Sequence, residues 1–397
     1  MRLKPVINKP TLGVEEELKV VSLITGALVN VDERLWARIR EKVGQSATPE
    51  YKKGQVELRT GVHTEIDDLR TELAALRHRV NAILAEEGLA LMASSTHPSA
   101  DWRRAEARDG ERYRWIERQK GDAVNRLLVS GFHTHFGTFT DDATRVDRIA
   151  RFRPLLPLLI AASTASPFYD GRYTGFRGYR RQIQTGLSCQ TPPSFESAEA
   201  YHRHMADLKA MAVIQAETDV WGDIRLGTLG KPTVEVRCME ASACVDDGPA
   251  MAALIQAAEL DIRLKSPPRP KLREGDMARD EIAAWQAARC GASAVIWDHD
   301  LAEPATVAEV ADRLIEKLGD AIELLGVRPW IDHFRWMLHG GTSAERMLAV
   351  AGLGPDAIAG PITPEMADRV IRSEVAKTAE GPSVRWPPTH FQAHLAA

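Results

Sequence analysis

The amino-acid sequence predicts an α+β fold with a largely antiparallel sheet packed by helices. Three observations lead there. Strand-like stretches are scattered among helical ones, and several are joined by short glycine-containing turns, which suit antiparallel neighbours but cannot join parallel ones. No Gly-x-Gly-x-x-Gly or Walker-type Gly-x-x-x-x-Gly-Lys run follows a strand, so a doubly wound nucleotide fold is not indicated. Four separate strands also place polar groups on one face and apolar groups on the other.

The first strand, residues 11–21, contains Gly13-Val14-Glu15-Glu16-Glu17. Side chains alternate along a strand, so Glu15 and Glu17 should share a face and Glu16 should take the other. Two carboxylates roughly 7 Å apart repel unless a cation lies between them, and a hard divalent ion suits such oxygen donors. A wet acidic edge strand is the competing account of this stretch. A turn at Thr25-Gly26 should lead into 27–31 as a hairpin, and 50–60 reads as the next strand. Thr64 as N-cap opens a helix whose apolar residues recur at helical spacing up to Gly88.

Residues 89–95 read as a buried strand, 111–126 as a charged helix and 127–139 as a strand. A helix follows from near Asp141, carrying Pro154 and Pro157, and 166–194 reads as a loop rich in Gly, Arg and Tyr. Residues 197–218 form a helix, and a turn at 227–230 leads to a strand over 232–239. Beyond Asp246 the chain reads as mostly helical, with a Pro-rich basic linker at 266–272 and an extended arm at 381–397. The expectation is a single domain, 1–397, with 266–397 as a helical C-terminal part.

Composition narrows the functional classes. The net charge of −4 over 397 residues offers no basic surface for nucleic acid. The opening Met1-Arg2-Leu3-Lys4-Pro5 lacks the apolar stretch of a secretory signal, so none is expected, and the most apolar stretch, 155–165, is too short and too close to prolines to span a bilayer. Cys189, Cys238, Cys244 and Cys290 lack metal-type spacing, so neither a zinc site nor a disulfide framework is suggested. A cytoplasmic protein without a membrane partner is expected.

The chemistry should lie on the polar strand faces. These carry Glu15 and Glu17, then Glu57 and Arg59, then His133 and His135, then Glu235 and Arg237. A charged group buried without a partner costs several kcal/mol, so four such strands mixing carboxylates with cations point to one shared polar cavity. Each piece also has a plainer account. A lone His-x-His is more often two hydrogen-bonded core histidines, and a Glu-x-Arg strand can carry ordinary cross-strand ion pairs. The run Trp297-Asp298-His299-Asp300 is better read as a solvated loop than as a ligand cluster.

The segments LGVEEEL with TGALV, ADWR with RYRW, SGFHTHFG, SPFYDGRYTG, TVEVR and WQAARCG occur in the order seen in bacterial carboxylate–amine ligases. Over roughly residues 10–300 the chain resembles the glutamate–cysteine ligase type 2 group of the glutamine-synthetase-like superfamily. The resemblance implies a sheet curved into a cup, with ATP and Mg²⁺ (or Mn²⁺) inside. It implies amide formation between small-molecule carboxylate and amine substrates, glutamate and cysteine being the type pair, and a homodimer would fit it.

Carried over by position, Glu15, Glu17, Glu57, His133 and Glu235 correspond to the metal side. Arg237 corresponds to the arginine beside the phosphates, and Arg180 or Arg181 to a basic residue near substrate. Arg59 and His135 join the cofactor side, and the segment 170–186 is the expected mobile cover. Two departures, at Ile282-Ala283-Ala284 and around 222–231, bear on substrate identity. Two other readings keep the pocket: a metal-dependent amidohydrolase built on His133, His135 and the glutamates, and a nucleotide-binding protein without turnover.

Overall fold

The computed structural model describes residues 8–185 and 191–380. The expected arm at 381–397, Cys189 and the end of the 166–194 loop around Gly186 therefore lie outside the described residues. The strands are β1 (Leu12–Ser22), β2 (Ala47–Pro49), β3 (Gln55–Arg59), β4 (Leu89–Met92), β5 (Gly131–Phe136) and β6 (Phe168–Tyr169). They continue with β7 (Arg172–Tyr173), β8 (Ile224–Leu226), β9 (Val234–Glu240), β10 (Val295–Asp298), β11 (Glu303–Thr306) and β12 (Gly360–Pro361).

The main sheet runs β2-β3-β1-β5-β9-β8, with β4 also paired to β1, and every pairing in it is antiparallel. The long β1 is its spine. Its first half pairs with β5 and its second half with β4 along one edge, while β3 lies along the other. This is the antiparallel α+β architecture that the sequence predicts.

Helices pack behind the sheet. The helix Asp247–Lys265 is buried along most of its length, which its continuous apolar and alanine-rich run allows. Its Gly248 lies so close to the Phe132 ring of β5 that an added Cβ would come within 2.4 Å. Gln256 ties it to the opening of the chain, donating from Nε2 to Pro10 O and Thr64 O at 2.8 Å each. The largest core draws residues from Leu12 through Leu338. Glu16 faces this layer, where Arg77 Nε donates to Glu16 Oε2 at 2.7 Å, so the alternation predicted within the triple glutamate holds.

Several expectations need correction. Thr64 does not cap its helix: Glu65 takes the N-cap position of Ile66–Ala85 without a side-chain cap, and the backbone carbonyl of Thr64 accepts from Gln256. The hairpin at 27–31 reduces to one bridge, Val21 with Leu28. The helix expected over 197–218 ends at Ala210. The prolines split their helix, so Asp142–Phe152 and Leu156–Ser163 are separated by a 3₁₀ turn.

The 166–194 segment is not simply a loop. Its residues 166–185 form the β6–β7 hairpin and a helix, Tyr179–Thr185, with Tyr173, Arg180 and Arg181 buried, so this part is a packed wall rather than a free cover. Trp297 and Asp298 belong to strand β10, where Arg313 clasps the buried Asp298, while His299 and the exposed Asp300 lie in the turn towards β11, so only that second half is a loop. Among the described residues, no helix is long and apolar enough to cross a membrane.

Candidate active site

One face of the main sheet, together with the segments 48–51, 112–116 and 218–231, encloses a cleft of about 330 Å³. Register explains the convergence. Glu15 of β1 lies between Arg59 of β3 and His133 of β5, Glu17 lies opposite Glu57, and His135 lies opposite Glu235 of β9. The β5–β9 register slips between Phe132 and Thr134, a bulge beside His133. Such bulges re-aim a side chain, and this one sits where the histidine meets the glutamates.

All ten candidate residues except Arg181 line the cleft. His133 is buried among three carboxylates: its Nδ1 is 3.7 Å from Glu15 and 4.0 Å from Glu235, and its Nε2 is 3.8 Å from Glu17. His135 Nε2 comes within 3.3 Å of Glu15. Glu235 is gripped by two guanidinium groups, Arg225 Nε at 2.8 Å and Arg237. Arg180 donates to the backbone carbonyls of Met239 and Arg237 and lies 3.5 Å from His133 Nε2. Glu17 accepts from Gly131 N at 2.6 Å.

Arg181 departs from expectation. It is turned behind the cleft, where Asp223 takes its Nη1 at 2.6 Å and Glu281 takes its Nη2 at 3.2 Å. There it fixes Asp223, whose carbonyl accepts from Arg237 N at 2.7 Å.

Electrostatics divide the carboxylates. Burial works against ionisation of Glu15, but His133 and His135 outweigh it and hold the carboxyl well below its usual range. Glu235 is likewise held low, because Arg237 and Arg225 overcome its burial. Glu57 is pushed up to about 7, first by burial and then by the charge of Glu15. Glu50 is raised well above its usual value by burial and by the neighbouring Glu17 and Glu57. His133 is lowered by burial and by Arg237.

These shifts describe two anionic nests. Glu15, His133 and Glu235 bring donor atoms within 4.8 Å of one another, and so do Glu17, Glu50 and Glu57. In the first nest, His133 Nδ1 and His135 Nε2 are buried without a hydrogen-bond partner. In the second, three carboxyl groups converge, their mutual repulsion and burial raising Glu50 and Glu57, with Arg59 at 3.6 Å from Glu57. Crowded carboxylate oxygens and unpartnered ring nitrogens are the donor set that a divalent ion completes, so the residues present fit a metal.

Sequence reasoning missed Glu50, Arg225 and Lys231. Glu50 and Glu57 are an odd number apart, so one continuous strand would put them on opposite faces; the turn at 51–54 resets the parity. Arg225 could have been found from its alternation on β8, opposite Glu235. Lys231, with Nζ 2.8 Å from Glu15, arrives from a turn and has no periodic signal.

The family model described as glutamate-cysteine ligase family 2 matches residues 11–373. The chain belongs to this family. As a member of glutamate–cysteine ligase family 2 it is an ATP-dependent carboxylate–amine ligase, which sets the hydrolase reading aside. A relative from Jannaschia sp. (strain CCS1), named "Putative glutamate--cysteine ligase 2", is 34% identical over 322 residues, covering 80% of this chain and 83% of its own. One of the same name from Sorangium cellulosum (strain So ce56) is 33% identical over 347 residues, covering 86% and 91%.

Among solved structures, the glutamate–cysteine ligase of Francisella tularensis in complex with AMP superposes with a TM-score of 0.69 at 15% identity, over 98% of this chain and 91% of that one. A bifunctional glutathione synthetase from Pasteurella multocida gives 0.64 at 15% identity, over 93% and 53%. At such identities the likeness concerns the fold.

Proposed function

We propose that this family member activates a carboxylate with ATP, the side chain of glutamate being the first choice, and joins it to an amine such as that of cysteine. The observation that carries the reading is the pair of carboxylate nests, ringed by Arg59, Arg180, Arg225, Arg237 and Lys231 within one cleft. A carboxylate is a poor electrophile, and its activation by phosphoryl transfer needs positioning and charge neutralisation more than covalent help.

In the first step a carboxylate oxygen attacks the γ-phosphorus of ATP, the bond from that phosphorus to the bridging oxygen breaks, and ADP leaves. In the second, the amine nitrogen attacks the acyl carbon, the carbon–oxygen bond to phosphate breaks, and the nitrogen gives up a proton to the departing phosphate or to water. Glu15, His133 and Glu235 would hold one divalent cation and Glu17, Glu50 and Glu57 a second. Bound there, Mg²⁺ or Mn²⁺ would supply positive charge against the triphosphate.

Arg237 is fixed by Glu235 at the cleft wall and would meet charge developing on the transferred group. Arg180 is steadied by two carbonyls and would hold a phosphate or substrate oxygen near His133. Arg59 and His135 would complete the polar wall on either side of Glu15. The test is ADP release with Mg²⁺-ATP, glutamate and a panel of amines including cysteine, with the amide identified by mass. Amine-dependent ADP release with a matching amide is the expected result. Nucleotide binding without ADP release across the panel would favour a binding protein without turnover and overturn the proposal.

A further inference from the structure

We propose that Lys231 is a nucleotide-binding residue that also guards the cation site, resting on Glu15 while no divalent ion is bound and turning to the triphosphate once one is. The inference rests on the reading above, in which Glu15 is a cation ligand. Lys231 lies in the turn that joins β8, which carries Arg225, to β9, which carries Glu235, and it lines the cleft. Its Nζ lies 2.8 Å from Glu15 Oε1, the same oxygen that His135 Nε2 approaches to 3.3 Å. An ammonium group there and a divalent ion in the Glu15–His133–Glu235 nest would repel at short range, so filling one position disfavours the other.

The neighbouring cations are held in place and Lys231 is not. Arg225 donates to Thr218 O and Val220 O as well as to Glu235, and Arg237 is clasped against Glu235. Their side chains are 9% and 17% exposed, whereas that of Lys231 is 42% exposed. Among the described residues, the Lys231 ammonium donates to Glu15 alone.

The turn has a fixed base and an exposed tip. Thr233 Oγ1 bonds His135 Nδ1 at 3.0 Å and anchors the β9 side. At the tip, Leu229 and Gly230 take positive φ, and Leu229 is 88% exposed while lining the cleft. A lysine on such a turn brings a point charge with three donors on a flexible stem, a chemistry suited to phosphate oxygens whose position shifts during transfer.

The opposing signs of two affinities test this. Mn²⁺ binding followed by electron paramagnetic resonance without nucleotide, and ATP binding at saturating Mn²⁺, would be measured for the wild type, Lys231→Met, Lys231→Arg and Glu15→Gln. Lys231→Met should bind Mn²⁺ about 3- to 10-fold more tightly, since one exposed ion pair competes with the metal. The same variant should bind ATP roughly 10-fold more weakly, since a charged hydrogen bond to phosphate is lost. Lys231→Arg should restore most of the ATP affinity. Unchanged Mn²⁺ and ATP affinities in Lys231→Met, or a fall in both together, would overturn the role of Lys231 while Glu15→Gln still lost one of the bound Mn²⁺ ions. Wild-type Mn²⁺ binding in Glu15→Gln would instead overturn the cation reading, and the inference with it.

Discussion

Glu15 and Glu235 line the same cleft but are held there by different partners. Glu15 meets His133, His135 and the partly exposed Lys231 rather than a buried guanidinium, so its charge is available to a ligand. Glu15→Gln should therefore lower ATP turnover by ~10²-fold or more with the melting temperature nearly unchanged. Normal turnover would remove Glu15 from the site. Glu235 neutralises Arg225 and Arg237 in a buried position, so Glu235→Gln should destabilise the fold by about 3–5 kcal/mol as well as abolish turnover, readable by urea unfolding.

Below the cleft, Glu240 accepts from Ser166 Oγ and Ala165 N, yet burial pushes its carboxyl up to about 7. Arg180 and Lys19 offset that rise in part. The native state then holds this proton more tightly than the unfolded chain, so stability is lost as pH rises from the unfolded value near ~4.3 and stays lost above about 7. The melting temperature of Glu240→Gln relative to wild type should therefore climb between about pH 5 and about pH 8. A difference that stays flat with pH would contradict this account of Glu240.

At the level of elements, β5 couples the cleft to the core. Its even residues face the layer behind, where Phe132 lies against Gly248, and its odd residues His133 and His135 face the cleft. Gly248→Ala should destabilise by about 1–3 kcal/mol through overpacking against that ring, measured by thermal unfolding, and should leave the nests assembled. Gly131 is tight on the other face, since an added Cβ would come within 2.4 Å of Arg180 Nη2. Gly131→Ala should displace Arg180 and lower turnover more than stability; equal loss of both would mean that Arg180 has no separate role. Strand existence and face were legible here because period-two alternation persists over short spans. Helix ends and loop content were not. Thr64 has the chemistry of a cap but the helix begins one residue later, behind Glu65, and the segment after Ser166 gains its hairpin and helix through distant partners such as Glu240.

On the scale of the whole molecule, the site draws side chains from β1, β3, β5, β8 and β9 and from turns between them, so ligand binding should stabilise the fold globally. Mg²⁺ with ATP at 100 times the dissociation constant should add about 2.7 kcal/mol, and Glu57→Gln or Glu15→Gln should lose much of that gain in a thermal-shift titration. An undiminished gain in both variants would place the nucleotide elsewhere. The sequence by itself determined the class of fold, the four polar strand faces and the eight cleft residues those faces carry, because alternation and residue chemistry are local properties, whereas Arg180 came from the family resemblance. Only the tertiary structure decided that Arg181 turns away to Asp223, that Glu50 completes a second nest across a turn, and that Lys231 reaches Glu15 across more than two hundred residues of chain. Those outcomes depend on strand register and on which buried charge claims which partner. Both are settled by long-range pairing, on which the spacing of residues along the chain places no constraint.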